Sequence, residues 1–176
     1  MNIILVGLPG VGKTAVGRAV ARLLHYPFID FDTEIEHREH ATVAQIFERK
    51  GEAYFRALES ALTRELAGSK GTVMATGGGW VTDPGSMALL HSTGRMIYLR
   101  ATPETALARM AAGRARRPLL DSSDPVGAIT RLYEARRALY ETADLVLDTE
   151  VIAKSEVIEQ VRLYALSSSG EGLRAC

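Results

Sequence analysis

Only one cysteine, Cys176, stands in the 176 residues, so no disulfide can close within them, and a reducing, cytoplasmic setting is the expectation. Long hydrophobic runs are missing as well: the apolar stretches fall far short of the ~20 residues a membrane helix needs. No basic segment precedes the apolar start of the chain, so Met1 to Val6 reads as a strand and not as a leader. Excess charge of either sign is absent, because Lys plus Arg and Asp plus Glu number 21 each. Without a basic surplus, nucleic acid is a poor partner and a small molecule a better one. Asparagine occurs once, at Asn2, which removes the Asn-Lys-x-Asp motif that a guanine-specific GTPase would carry. Histidine is sparse too. His37 and His40 lie three apart on a charged segment with no third nitrogen or thiolate ligand in view, and read as a solvent-facing pair.

What the chain does have begins at residue 7. Gly7-Leu8-Pro9-Gly10-Val11-Gly12-Lys13-Thr14 is a complete GxxxxGK[ST] loop placed directly behind the apolar run Ile3-Ile4-Leu5-Val6. A buried strand, a glycine turn and a helix start in that order present successive backbone N–H groups and a helix N-terminus to an anion. Lys13 is then within reach of the terminal phosphates of a nucleotide, and the Thr14 hydroxyl can ligate magnesium. Phosphoryl chemistry is the first expectation.

Strands and helices alternate from there. A helix runs from Thr14 to about His25, and a short strand at Phe28-Ile29 delivers Asp30 and Asp32 at its C-terminal end. Residues 33–66 read as helical in several pieces, broken at Gly51, with Val43, Ile46 and Phe47 on one apolar face. Further strands fall at 72–75, 95–100 and 145–147, and helices at 84–90, 103–112, 125–140 and 155–166. Pro84, Pro103 and Pro125 stand at helix starts, where a missing N–H costs little. The pattern predicts an α/β fold: a three-layer sandwich with a central five-stranded parallel sheet, a helical insertion at about 31–62 and a lid at about 112–124. One domain spans 1–166, and the small, polar stretch 167–176 reads as a disordered tail.

Several residues have the chemistry to finish a site. Of Asp30 and Asp32, one can hold magnesium while the other meets an acceptor hydroxyl, unless one only caps the helix expected from Thr33. Phe55 and Arg56 combine an apolar wall with a guanidinium suited to a carboxylate, and Glu59 is placed to hold that arginine. Gly77-Gly78-Gly79 after a strand allows backbone to approach a ligand closely, with Trp80 packing behind it. Arg114, Arg116 and Arg117 lie in a glycine-containing loop that reads as a lid bringing positive charge to transferring phosphate. Arg136 and Arg137 point about 100° apart on a helix, so at most one faces a given pocket.

In order along the chain, the phosphate loop, Phe28 to Asp32, Phe55 to Glu59, Gly77 to Gly79, Arg117-Pro118-Leu119-Leu120 and Arg136 to Tyr140 resemble the shikimate kinases, a nucleoside-monophosphate-kinase-like family. The resemblance implies ATP-dependent phosphorylation of the 3-hydroxyl of shikimate. By that likeness ATP is held by Gly10, Val11, Gly12, Lys13, Thr14, Ala15, Arg109 and Arg117. Mg2+ is held by Thr14 and, through water, by Asp30. Shikimate is held by Asp32, Phe47, Phe55, Arg56, Gly77, Gly78, Gly79, Pro118, Leu119 and Arg136, with Lys13, Asp32 and Arg117 in catalytic roles. The likeness also implies a monomer. Two positions depart from the pattern: Trp80 is bulky where a smaller residue is expected, and Phe31 stands where Ser or Thr is frequent. A gluconate-type or nucleotide kinase of the same architecture, or a catalytically silent nucleotide-binding module, is the alternative.

Overall fold

The computed structural model describes residues 1–112 and 123–167. Five strands form one parallel sheet in the order β2-β3-β1-β4-β5: β1 (Asn2–Val6), β2 (Phe28–Asp30), β3 (Val73–Ala75), β4 (Gly94–Arg100) and β5 (Leu145–Asp148). Strand β1 lies in the middle, with Ile3 opposite Val73 on one side and Arg95 on the other. All five of its residues are buried, as expected of a parallel strand covered on both faces. The phosphate loop therefore leaves the most enclosed edge of the sheet.

Among the described residues seven helices flank the sheet: α1 (Lys13–Leu24), α2 (Phe31–Glu39), α3 (Val43–Leu66), α4 (Pro84–His91), α5 (Pro103–Ala112), α6 (Pro125–Tyr140) and α7 (Lys154–Leu166). None of them is long and apolar enough to cross a membrane. Helix α1 packs on α7, and α3 packs on α2 and α4. Local sequence explains the boundaries. Thr42 caps α3 by accepting from the Gln45 N–H, while the Gln45 side chain accepts from the Thr42 N–H, a complete capping box. Pro84 and Pro125 open α4 and α6 behind the caps Asp83 and Asp124. The break expected at Gly51 is present, with φ 82° and ψ 170° inside α3.

One boundary differs from expectation. Helix α2 starts at Phe31 and not at Thr33, because the Asp30 carboxylate accepts the Thr33 N–H at 3.2 Å and draws the chain into a helical turn at once. Asp32 thus stands in the first turn of a helix and not on a strand end.

Trp80 begins a short 3₁₀ turn (Trp80–Thr82) and is 1 % exposed. Its indole N–H donates to the Thr63 hydroxyl at 2.9 Å, and its ring meets Phe31 edge-on at 6.3 Å. The two departures from the family pattern thus pack against each other in the core. Trp80→Phe removes that N–H from a buried pair and leaves a void, so it should lower unfolding free energy by about 1–3 kcal/mol in urea titrations; a loss below about 0.5 kcal/mol would contradict this packing role.

Candidate active site

The loop after β1 makes an anion cradle from backbone geometry. Gly7, Gly10 and Gly12 all have positive φ (141°, 87° and 102°). At Gly10 a Cβ would collide with the Ala106 carbonyl of α5, so only glycine combines this turn with this packing. Gly12 then precedes α1 with no side-chain cap, and the first turn of α1 carries no acidic residue. The helix N-terminus is left electropositive. Lys13 Nζ donates to the carbonyls of Gly7 and Leu8 at 2.8 and 2.9 Å, which folds it over the loop.

The Thr14 hydroxyl donates to Asp30 Oδ2 at 2.6 Å. Asp30 therefore both caps α2 and meets the loop. Two hard oxygens this close, beside an anion cradle, suit magnesium, which keeps several waters and needs few protein ligands. Among the described residues no cluster of three His, Cys, Asp or Glu could hold a metal ion, and the His37 and His40 rings meet edge-on.

A cleft of about 390 Å³ opens beside the loop, lined by Val11, Gly12, Ala15, Val16, Arg109, Thr149, Ile152 and Ala153 among others. Arg109 is fixed across it by bonds to the Thr149 hydroxyl and carbonyl at 2.7 and 2.8 Å. The rim from Thr149 to Lys154 has no marked sequence pattern, and its place became visible only in three dimensions.

A second group gathers at the ends of β2 and β3. Arg56 Nη1 donates to Glu59 Oε2 at 2.5 Å, and the guanidinium lies 6.0 and 5.6 Å from the Phe47 and Phe55 rings. Phe47 and Phe55 are themselves in contact at 5.0 Å. The glycine turn is shaped to this cluster: a Cβ at Gly79 would collide with the Arg56 guanidinium, and one at Gly77 with Glu59 Oε1. Asp32 Oδ1 would lie 3.0 Å from the same Gly77 Cβ, which places it beside Glu59. Helix α6 closes the far side. Tyr140 donates its hydroxyl to the Gly78 carbonyl and stacks on Tyr98 at 5.1 Å, and Arg136 stands next to both Tyr140 and Glu59. Arg137 turns away to an exposed pair with Glu141, so one of the two arginines faces the site, as expected. Arg114, Arg116, Arg117, Pro118 and Leu119, the expected lid residues, lie outside the described residues, as does the tail from 168 onward.

Spacing in the sequence marks Glu59 only as a partner for Arg56. It is a buried carboxyl whose Oε1 has no hydrogen-bond partner among the described residues. Burial pushes its pKa up, with Asp32 adding to the rise and Arg56 and Arg136 opposing it, to about 7. Burial dominates because desolvating a carboxylate outweighs a single ion pair that leaves one oxygen unsatisfied. A raised carboxyl stabilises the fold fully below the ordinary value near 4.5, and that contribution is lost as pH rises through about 7. Unfolding free energies of wild type and Glu59→Gln should therefore diverge between pH 5 and 8, wild type losing up to about 3 kcal/mol relative to the variant. Parallel pH curves would show that Glu59 is ionised throughout.

This geometry can be set beside known proteins. A family model described as shikimate kinase matches residues 9–164. A shikimate kinase of Cupriavidus pinatubonensis is 49% identical over 174 residues, 98% of this chain and 88% of that protein. Among solved structures, a shikimate kinase from Acinetobacter baumannii in complex with shikimate has a TM-score of 0.85 at 38% identity, covering 93% of this chain and 90% of that one. A gluconokinase from Sinorhizobium meliloti, at 18% identity and a TM-score of 0.58 over 92% of this chain and 89% of that one, shares the fold alone. A match over most of the chain, together with the anion cradle and the arginine cluster at one sheet edge, establishes that this chain is a kinase belonging to the shikimate kinase family.

Proposed function

We propose that the protein transfers the γ-phosphoryl group of ATP to the 3-hydroxyl of shikimate, giving shikimate 3-phosphate and ADP. The observation that carries this reading is the convergence of two unlike sites at one sheet edge. The cradle of Gly10 to Thr14 takes a polyanion, and Asp32, Arg56 and the glycine turn, with Arg136 nearby, suit a hydroxylated ring bearing one carboxylate. The shikimate bound in the Acinetobacter baumannii relative supports the choice of acceptor.

In this reading the loop amides and Lys13 hold the phosphates, Ala15 and Arg109 border the nucleotide cleft, and Thr14 and Asp30 hold Mg2+. When bound, the ion neutralises charge on the phosphate oxygens. Arg56 and Arg136 take the ring carboxylate, Phe47 and Phe55 form its apolar wall, and the Gly77–Gly79 turn faces its hydroxyls. Asp32 orients the 3-hydroxyl and accepts its proton as the oxygen attacks the γ-phosphorus and the bond to the ADP oxygen breaks. Pro118 and Leu119 complete the walls, and Arg117 supplies positive charge to the transferring group. A cytoplasmic monomer is the form this reading assigns.

Coupled ADP-release assays with Mg2+-ATP and shikimate, gluconate or nucleoside monophosphates side by side test the choice of acceptor. Selective release with shikimate is expected, and equal or greater release with another acceptor would overturn it. Asp32→Asn should lower kcat by about 100-fold or more while ATP still binds; near-normal turnover would remove Asp32 from the chemistry. Arg136→Ala should raise the KM for shikimate by roughly tenfold or more through loss of a charge-assisted contact, and an unchanged KM would displace Arg136 from the carboxylate.

A further inference from the structure

Arg56 has five N–H donors, and two carboxylates already draw on them. Glu59 accepts from Nη1, while Glu52 accepts from Nε at 3.2 Å and Nη2 at 2.8 Å, covering one whole edge of the guanidinium. The arginine has little freedom to leave, because Gly79 backs its plane and the Phe47 and Phe55 rings border it. Any rearrangement on ligand binding falls to its partners. These differ sharply: the Glu59 side chain is 3% exposed and the Glu52 side chain 62%. Removing the partner of a buried charge costs on the order of hundredfold or more in an equilibrium constant, whereas an exposed helix pair is worth about two- to fivefold. Glu52 is the partner that can move.

Local backbone places it there. Gly51 breaks α3 one residue earlier, so Glu52 opens the second helical segment and stands one turn before Arg56. Its carboxylate pairs with Arg56 Nη2 at 2.8 Å. The contacts agree: Glu52 and Glu59 already share Arg56, so an added carboxylate would crowd a third acid onto one guanidinium unless one of them departs.

We propose that Glu52 is an internal competitor for the acceptor's carboxylate, occupying the Nε edge of Arg56 until that carboxylate displaces it into solvent. The exchange swaps one carboxylate for another. An uncharged acceptor does not displace Glu52 and binds beside it, so Glu52 acts as a positioning residue for Arg56 whose competition falls on the carboxylate-bearing acceptor alone. This rests on the assignment of Arg56 to the acceptor carboxylate.

Calorimetric titration of nucleotide-free protein at low ionic strength, with shikimate and with its neutral carboxamide, tests the proposal. Glu52→Gln should bind shikimate about two- to fivefold more tightly than wild type, raise the preference for shikimate over the carboxamide by the same factor, and show the same gain as Glu52→Ala. Unchanged or weaker shikimate binding in both variants would overturn it, as would an equal gain for both ligands, which would point to steric relief. Wild type that binds no shikimate would overturn the acceptor assignment along with it; wild type that binds, without gain in the variants, would overturn the role of Glu52 alone.

Discussion

A single buried carboxyl organises the acceptor half of this molecule. Glu59 sits under the Gly77–Gly79 turn and holds Arg56 with one oxygen, while the other has no hydrogen-bond partner among the described residues. Its surroundings follow from accommodating it. Two of the turn residues must be glycine because Glu59 and Arg56 occupy the space of their side chains. The next turn of α3 brings Thr63, whose hydroxyl donates to the Glu59 carbonyl and receives the Trp80 indole, tying the helix to the segment that follows the glycines. Tyr140 then binds the Gly78 carbonyl and carries Arg136 toward the same carboxyl. Helix α3, the turn and α6 are thus fastened around one titratable group.

The nucleotide half follows the opposite electrostatic logic. There the loop offers backbone N–H groups, a helix start free of acid and one lysine, an arrangement that gains only when an anion arrives. In the acceptor half the guanidinium of Arg56 is already paired with Glu52 and Glu59, so under the proposed exchange an incoming carboxylate gains by replacing one of them and not by meeting free positive charge. The two halves meet at the C-terminal edge of one parallel sheet, where Asp30, bonded to Thr14 of the loop, and Asp32, beside the Gly77 turn, stand two residues apart on the same short segment. That adjacency is what a direct transfer between bound partners requires.

Much of this was legible in the chain. The phosphate loop, the five strands, the proline-marked helix starts and the break at Gly51 are local signals, each decided within a few residues, and the structure bears them out. The start of α2 was misplaced by two residues because capping by Asp30 competes with strand continuation, and spacing alone does not say which prevails. The lone-pair state of Glu59, the clasp of Glu52, the tie from Tyr140 and the Thr149–Lys154 rim were not legible. Each joins segments distant in sequence, or depends on burial that only packing decides: Glu59 has the same local pattern as a solvated i,i+3 partner of arginine.

The most direct test of the central claim is the identity of the product, read by phosphorus and proton NMR on a reaction of wild-type protein with Mg2+-ATP and shikimate. Transfer between two bound partners oriented by Asp32 predicts ADP and one new phosphate ester, on the 3-oxygen, in equal amounts. Release of inorganic phosphate without ester, or esters spread over the three ring hydroxyls, would contradict an acceptor site ordered by Glu59, Arg56 and the glycine turn.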